Sequence, residues 1–260
     1  MKIQNAKAAA DLLAEAWQMG MTLAELPSVV RPRNPAEGYR VQDLLTAELA
    51  LPVGGWKIGG TAAAARRILK ARGPFAGRIF AQRVFESGAM LPAAGYRLRG
   101  LEGEFAFRLA ADLKPRKRPY AEAEVVAAIG AMHPAIEVVD SRYTDWLKVG
   151  LPSVIADQGS NGALVLGAPV PRWRQLRLDA LPVRMVVNGR IVGEGSGADC
   201  LGHPFKALTW LANLMRRRGG LKAGKIISTG TCTGLYRAAP GDRVIADFGR
   251  LGTVETAFTG

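Results

Sequence analysis

Acidic side chains at two places along the chain have the spacing of a cation site. Glu102 and Glu104 lie two residues apart in the strand-like segment 102–109. Because successive strand residues point to opposite faces, both carboxylates project to one face and the apolar side chains that follow project to the other. Neighbouring carboxylates repel each other, which raises their pKa values unless a cation lies between them. An exposed polar strand face is the alternative interpretation of this pair taken alone.

A third carboxylate, Glu137, interrupts the apolar strand-forming run 135–139. A charged residue in such a run is seldom buried without a partner. Three carboxylates with no cysteine or histidine beside them form the ligand set that Mg²⁺ or Mn²⁺ prefers. An ion pair between Glu137 and one of the many arginines is the alternative.

The net charge of +13 and the isoelectric point near 10.3 raise the question of nucleic acid binding. The lysines and arginines form short clusters, several of them at helix ends and turns, where cations suit the helix dipole. No helix-turn-helix, zinc finger or aromatic RNA-binding segment accompanies them. The composition therefore favours a basic surface that attracts anionic substrates over a nucleic-acid-binding protein.

The other bulk properties are typical of a globular protein. A chain of 260 residues can bury a sizeable core. No segment reaches the ~18 consecutive apolar residues that span a bilayer, and the amphipathic N-terminus lacks the features of a signal peptide. The two cysteines, Cys200 and Cys232, are too few for a disulfide framework or a thiolate metal site. We expect a cytoplasmic protein without a membrane partner.

Hydrophobic periodicity and turn residues predict an α+β chain, with a helical N-terminal region at 1–75 and a β-rich catalytic core at 76–260. The predicted helices are 5–19, 36–49, 62–71, 121–132 and 205–217. The predicted strands are 53–61, 78–85, 96–98, 103–109, 134–140, 183–187, 190–192, 225–229 and 243–248. Asn188-Gly189, between two of these strands, is the preferred pair for a type I′ hairpin turn.

The carboxylates belong to an ordered series of motifs: GWKIG at 55–59, EGE at 102–104, PAIEVVDSR at 134–142 and ADQGS at 156–160. Together these motifs resemble the 2-keto-4-pentenoate hydratase and 4-oxalocrotonate decarboxylase branch of the fumarylacetoacetate hydrolase superfamily. The resemblance covers about residues 36–258. It implies a β-rich roll with flanking helices, a small helical N-terminal region and assembly into a homo-oligomer.

The resemblance also implies a site. In this branch the carboxylates matching Glu102, Glu104 and Glu137 bind a Mg²⁺ or Mn²⁺ ion, which chelates a small 2-keto acid through its carboxylate and keto oxygen. A Lewis acid on the keto oxygen stabilises the enolate needed for hydration or decarboxylation. Lys57 matches a lysine close to this metal, where a lowered pKa suits it to proton transfer. A surface lysine at a strand end is the alternative.

Further candidates follow from the same resemblance. Asp157 and Ser160 match a loop that lines the site and are catalytic candidates, although these residue types are also common in turns. Two hydroxyl residues that follow a strand, Thr231 and Thr233, are candidates for substrate contacts. Cys232 fits a small buried residue better than a nucleophile, because no histidine is assigned to activate it.

Arg142 is the candidate for the anionic end of the substrate, because a guanidinium binds a carboxylate through two parallel hydrogen bonds. A structural ion pair with Asp140 or Asp145 is an equally weighted interpretation of the same residue.

Two departures from the family pattern bear on the reaction. Hydratases of this branch carry an acidic residue, suited to positioning water, in the stretch matching 77–84, and this stretch contains none. Carbon–carbon hydrolases of the wider superfamily use an N-terminal histidine, whereas the histidines here are His133 and His203. His203 precedes Pro204 and is expected to cap a helix.

The sequence thus predicts a metal-dependent lyase acting on a small 2-keto acid, first of all a hydratase of a 2-keto-4-enoate. A decarboxylase of a 2-oxo-3-enedioate is the alternative, since both activities share the metal carboxylates. An acylpyruvate hydrolase and a non-catalytic member that binds anions or nucleic acid are less favoured.

Overall fold

Six α-helices and thirteen β-strands form the protein in a computed structural model that describes residues 1–260. The helices are α1 (Ile3–Gln18), α2 (Pro35–Leu49), α3 (Ala63–Ile68), α4 (Glu122–Ala127), α5 (Leu151–Ala156) and α6 (Pro204–Met215). The strands are β1 (Val53–Gly59), β2 (Phe75–Phe80), β3 (Val84–Glu86), β4 (Ala89–Pro92), β5 (Gly100–Leu109), β6 (Ile129–Val139), β7 (Asn161–Leu166), β8 (Pro182–Val187), β9 (Arg190–Ser196), β10 (Ile226–Ser228), β11 (Tyr236–Arg237), β12 (Arg243–Asp247) and β13 (Thr253–Thr259).

Polar side chains fix where two of the helices begin. The side chain of Asn34 accepts a hydrogen bond of 3.0 Å from the Glu37 N–H at the start of α2. His203 Nδ1 accepts a hydrogen bond of 3.1 Å from the Phe205 N–H at the start of α6. The predicted capping role of His203 is therefore confirmed.

The strands form two sheets. The larger sheet has the order β2-β1-β10-β5-β6-β7-β3, with β11 paired to β5, and the smaller has the order β4-β13-β12-β8-β9. The larger sheet curls into a roll, because side chains from strands far apart in this order meet in one interior cluster: Ile79, Ala106, Ala135, Leu164, Leu166 and Ile226. The predicted α+β roll with flanking helices is confirmed.

Aromatic packing determines which face of β5 points to the interior of the roll. Phe105 and Phe107 are fully buried on the outer face. Their rings meet Phe248 and Trp173 edge-on, at centroid distances of 5.3 and 6.0 Å. Burying each phenylalanine stabilises the fold by about 2–3 kcal/mol. Since strand residues alternate, the same packing directs Glu102 and Glu104 to the inner face.

The N-terminal helices cover one side of the roll. Leu13 of α1 and Leu45 of α2 share a buried cluster with Phe80, Tyr143 and Ala156 from the core. The strand of this region, β1, is paired on both sides inside the larger sheet, with β2 and β10. The division of the chain at residue 75 stays a prediction. None of the helices combines the length and apolar character needed to cross a membrane.

Two predicted elements are wrong, and in both cases a distant contact overrides the local pattern. The helix predicted at 121–132 ends at Ala127, because Ile129–Met132 pair with β5 as the first part of β6. The strand predicted at 96–98 does not form. The N–H groups of Arg97 and Leu98 donate instead to one oxygen of Asp140, at 2.7 and 2.6 Å.

Two further boundaries differ. The strand predicted at 78–85 is divided into β2 and β3 by a helical turn at Ala81–Arg83. The strand at 243–248 was expected to be the last, but the turn at Gly249–Leu251 returns the chain as β13, which pairs with β12 and β4. The hairpin at Asn188-Gly189 is confirmed, since both residues have positive φ angles of 49° and 78°.

Gly77 provides a test of how β2 packs on the loop 157–160. A Cβ atom at Gly77 would lie 1.8 Å from the Gln158 carbonyl oxygen, whereas a Cβ at Gly73 meets nothing within 4 Å. We expect Gly77→Ala to lower the free energy of unfolding by about 1–3 kcal/mol and Gly73→Ala to change it little. Urea unfolding followed by circular dichroism measures both, and equal stability of the two variants would contradict the packing described.

Candidate metal centre and active site

Strand register brings the three predicted carboxylates together. Glu102 on β5 lies directly opposite Glu137 on β6, and Glu104 follows two residues later on the same inner face. One oxygen from each of the three lies within 4.8 Å of the others. Residues of distant sequence number thus form one cluster, because β5 and β6 are neighbouring antiparallel strands.

The hydrogen bonds of the two fully buried glutamates occupy only one oxygen of each. Glu104 Oε2 accepts from the Ser228 hydroxyl and, at 2.8 Å, from the Gly230 N–H. Glu137 Oε1 accepts from Asn161 Nδ2 at 3.0 Å. Glu104 Oε1 and Glu137 Oε2 have no hydrogen-bond partner. Unpaired buried carboxylate oxygens are costly unless a cation meets them, so this donor set fits a hard divalent ion.

Burial also changes the acidity of the cluster. It raises the pKa of Glu102 to about 7, an effect that the Lys57 ammonium opposes and the Glu137 carboxylate reinforces. Burial likewise raises the pKa of Glu104 well above its ordinary value, and the neighbouring Glu137 and Glu102 carboxylates add to this increase. The protein's own groups therefore do not neutralise the crowded negative charge.

Lys57, on β1, supplies the positive charge of the site. It is 3% exposed, and its Nζ lies 3.0 Å from Glu137 Oε1 and 3.1 Å from the Gly159 carbonyl oxygen. The surface-lysine alternative is therefore wrong, and so is the alternative that Glu137 pairs with an arginine. Without a cation, burial lowers the pKa of Lys57, but the three carboxylates together raise it further, so the pKa lies above its ordinary value. The lowered pKa expected beside a metal stays a prediction.

Arg142 and Asp157 form a buried ion pair with each other. Arg142 Nε lies 2.5 Å from Asp157 Oδ1, so neither Asp140 nor Asp145 is its carboxylate partner, as the alternative interpretation had supposed. Asp157 Oδ2 also accepts from the Ser141 hydroxyl at 2.8 Å. The substrate-binding role of Arg142 and the catalytic role of Asp157 stay predictions, because the contacts in the structure join these residues to each other.

The ion pair is connected to the carboxylate cluster through one residue. Arg142 Nη1 and Nη2 donate to the Asn161 backbone carbonyl at 3.3 and 3.2 Å. The Asn161 side chain in turn donates to Glu137. The pair therefore helps to fix the position of Asn161 and, through it, the orientation of a candidate metal ligand.

The remaining candidates lie beside the cluster. Ser160 is buried in the loop before β7, with a positive φ of 58° and a hydroxyl that has no partner. Thr233 Oγ1 accepts, at 3.0 Å, from the N–H of Gly103, the residue between two of the glutamates. Thr231 Oγ1 accepts from the Thr233 N–H at 3.2 Å. Their contacts with substrate stay predictions.

Sequence reasoning did not select three groups that orient the carboxylates: Ser228, the Gly230 N–H and the Asn161 side chain. The signal for Ser228 was a polar residue that ends the apolar strand β10, two residues before a glycine, Gly230, that adopts a φ of 98°. Asn161 directly follows the ADQGS motif. Neither signal reveals a contact with a glutamate, because the glutamates lie 124 residues from Ser228 and 24 residues from Asn161 along the chain.

With this geometry established, comparison with known proteins places the chain in a family. The sequence model described as fumarylacetoacetate (FAA) hydrolase C-terminal matches residues 86–259. The chain belongs to the fumarylacetoacetate hydrolase family, and the resemblance drawn from its motifs is confirmed.

Proteins similar to this chain include hydratases and a decarboxylase. The chain is 31% identical to a 2-keto-4-pentenoate hydratase of Paraburkholderia xenovorans, over 99% of this chain and 96% of the relative. It is 33% identical to 2-keto-4-pentenoate hydratase 1 of Dechloromonas aromatica, over 98% and 97%. Among solved structures, 4-oxalocrotonate decarboxylase from Pseudomonas putida G7, complexed with magnesium and adipate, superimposes with a TM-score of 0.91 at 27% identity, over 99% and 98% of the two chains.

Asn161→Ala tests whether the Asn161 amide orients Glu137. Without the donor at Glu137 Oε1, we expect Mg²⁺ and Mn²⁺ affinity to fall about 10- to 100-fold while the fold is retained. Isothermal titration of the chelator-treated protein measures the affinity, and the melting temperature reports folding. Unchanged affinity in a folded variant would show that Asn161 does not orient the ligand.

The raised pKa of Glu102 predicts a pH-dependent effect of metal on stability. Because the folded-state pKa of about 7 exceeds the ordinary 4.5, Glu102 destabilises the metal-free fold progressively as pH rises through this window. A bound divalent cation removes this cost. At pH values above this range the Glu102 carboxylate carries no proton that the cation must displace. Mg²⁺ should therefore raise the melting temperature more at about pH 8 than at about pH 6. An equal shift at both values, measured by scanning calorimetry, would contradict this account.

Proposed function

We propose that the protein is a metal-dependent lyase that acts on a small 2-keto acid, with Glu102, Glu104 and Glu137 as ligands of Mg²⁺ or Mn²⁺. One observation carries the proposal: two of these glutamates are fully buried, and each has a carboxylate oxygen without any partner, within a cluster only 4.8 Å across. A bound divalent cation there supplies Lewis-acid polarisation of the 2-keto oxygen.

The favoured reaction is the addition of water to a 2-keto-4-enoate. The hydratases reported above, which this chain matches over nearly its full length, support this substrate class. The decarboxylase that matches the fold was solved with magnesium and adipate, which supports a divalent ion and a carboxylate ligand for this chain as well.

Each polar group of the site has a distinct task in this proposal. Lys57 is the group with a transferable proton, since its Nζ lies beside Glu137 and has lost contact with bulk water. Proton transfer at the carbon chain of the substrate is therefore assigned to Lys57 Nζ. Ser160 offers an unpartnered hydroxyl for a substrate oxygen. Arg142 and Asp157 act by positioning Asn161.

A specific observation favours decarboxylation of a 2-oxo-3-enedioate as the second candidate. The stretch 77–84 has no acidic residue, and Ile79 from this stretch lies buried in the interior apolar cluster of the roll. An apolar side chain cannot activate water, whereas loss of carbon dioxide requires no activated water.

Product analysis distinguishes the two reactions. The protein, loaded with Mg²⁺ or Mn²⁺, is incubated separately with 2-keto-4-pentenoate and with a 2-oxo-3-enedioate. Loss of the ultraviolet absorbance of the conjugated dienol tautomer of 2-keto-4-pentenoate, together with a hydroxylated 2-keto acid, identifies a hydratase. Released carbon dioxide identifies a decarboxylase. Neither product with either compound would overturn the proposed lyase.

Lys57→Met removes the ammonium while nearly preserving side-chain length. We expect kcat to fall by about 10²- to 10⁴-fold, the usual contribution of a positioned acid or base. Metal affinity should change much less, because the three carboxylates remain. Steady-state kinetics with a parallel metal titration measures both. A variant with full kcat would contradict the proton-transfer role.

The proposal includes a homo-oligomer located in the cytoplasm. Apolar side chains exposed at the N-terminal region, Met19, Met21 and Val29, are 68%, 46% and 70% accessible in the single chain and support a contact between copies. Light scattering during size-exclusion chromatography tests the assembly, and a mass of one chain would contradict it.

A further inference from the structure

Three successive residues of the loop before β7 have left-handed backbone conformations. The φ angles of Gln158, Gly159 and Ser160 are 51°, 64° and 58°. Glycine adopts such angles freely, whereas a residue with a Cβ atom is strained there. Left-handed residues normally occur singly, so a run of three persists only where surrounding contacts hold it in place.

The side chain of Gln158 supplies contacts that hold this run. It is fully buried, and its amide nitrogen donates to the Thr46 hydroxyl at 2.8 Å and to the Gln42 carbonyl oxygen at 3.3 Å, both on α2. Its amide oxygen accepts from the Arg78 N–H on β2 at 3.3 Å. One amide thus ties the loop to a helix and to a strand. Glutamine is not among the residue types enriched at positive φ, so these contacts, rather than local preference, account for its conformation.

The loop presents the carbonyl group of its central residue to the active site. Gly159 O accepts from Lys57 Nζ at 3.1 Å, and the other acceptor of this ammonium is Glu137 Oε1 at 3.0 Å. The contact is tight, since a Cβ atom on Gly159 would lie 3.2 Å from Lys57 Cδ and 3.3 Å from the Phe75 ring. A small movement of the loop therefore displaces an acceptor of Lys57 that does not belong to the carboxylate cluster.

We propose that Gln158 is a positioning residue of the active site: its side-chain amide holds the left-handed loop and thereby places the Gly159 carbonyl against Lys57 Nζ. The inference rests on the proposed function, in which Lys57 transfers a proton. A lysine ammonium stands on a flexible four-carbon stem, so one carboxylate alone does not fix its direction. Acceptors on two different elements, Glu137 on β6 and Gly159 in the loop, do fix it, as a positioned acid or base requires.

Gln158→Met removes the amide while nearly preserving side-chain length. Nitrogen-15 spectra of chelator-treated protein with labelled lysine report the Lys57 ammonium directly, and Lys57→Met identifies its signal. We expect Gln158→Met to shift this signal and to make exchange of its N–H hydrogens with water about tenfold faster or more, because the Gly159 acceptor is displaced. In the metal-loaded protein kcat should fall about 10- to 100-fold, the effect of a small misplacement, with KM and metal affinity little changed.

Two helix threonines provide a matched control. Thr46 on α2 and Thr209 on α6 are both half-buried, and each hydroxyl donates at 2.8 Å to the carbonyl oxygen four residues earlier. Of the two, the Thr46 hydroxyl alone also accepts from Gln158. Thr46→Val should therefore change the Lys57 signal in the same direction as Gln158→Met but by less, because the Gln42 carbonyl remains. Thr209→Val should leave both the signal and kcat unchanged.

Gln158→Gly separates the role of the amide from that of the backbone conformation. Glycine removes the strain of the positive φ angle but supplies no side chain to bind α2 and β2. We therefore expect the Lys57 signal to stay altered in this variant. A signal restored to that of the unaltered protein would show that the backbone conformation alone positions Gly159, and it would overturn the proposal.

Two further results would also overturn it. One is an unchanged Lys57 signal in folded Gln158→Met, which, with a lowered melting temperature, is the result for a residue that only stabilises the fold. The other is an altered signal with an unchanged kcat. The Lys57 spectra need neither metal nor turnover, so a lack of lyase activity in the unaltered protein would contradict the proposed function and leave the spectral test of Gln158 intact.

Discussion

The antiparallel register of β5 and β6 is the constraint on which the site depends. It sets Glu102 directly opposite Glu137 and places Glu104 on the same inner face. The outer face of β5 is fixed by Phe105 and Phe107, so a shift of the strand by one residue would turn the carboxylates outward and expose the rings. The packing energy of the core thus holds three mutually repelling groups in one buried cluster.

The surrounding structure is arranged to keep that cluster oriented while leaving part of its charge uncompensated. Ser228 and the Gly230 N–H fix Glu104, and Asn161 fixes Glu137. Lys57 is the single cationic side chain in contact with the group. Burial raises the pKa values of Glu102 and Glu104, and repulsion among three carboxylates that one ammonium does not balance adds to the increase. A divalent cation completes the balance, and this requirement connects the fold to its proposed chemistry.

The sequence predicted the parts of this arrangement that depend on local pattern and on family motifs. The alternation in 102–109 placed Glu102 and Glu104 on one face, and the GWKIG motif located Lys57. Prediction from the sequence failed where a contact between residues distant along the chain decides which side chains pair. The Arg142–Asp157 pair replaced the expected neighbours Asp140 and Asp145 because the loop before β7 folds back against β6.

The same distinction holds for secondary structure: elements with local signals were predicted, and an element set by a distant contact was not. Helices with capping signals and the Asn188-Gly189 hairpin were predicted close to their observed bounds. The segment Ile129–Met132 was assigned to a helix because its residues have no local strand signal, and only the ladder with β5 reveals it as a strand. The orienting role of Asn161 could not be predicted from sequence, because a side chain amide that follows a turn has many possible partners.

The most direct test of the central claim is isothermal titration of oxalate, a stable mimic of a 2-keto acid, into chelator-treated protein with and without Mg²⁺ or Mn²⁺, repeated with Glu137→Ala. The account predicts binding that requires the metal and is lost in the folded variant. Oxalate binding of equal strength without metal, or undiminished binding in Glu137→Ala, would contradict the claim that the buried glutamates form a metal-dependent keto-acid site.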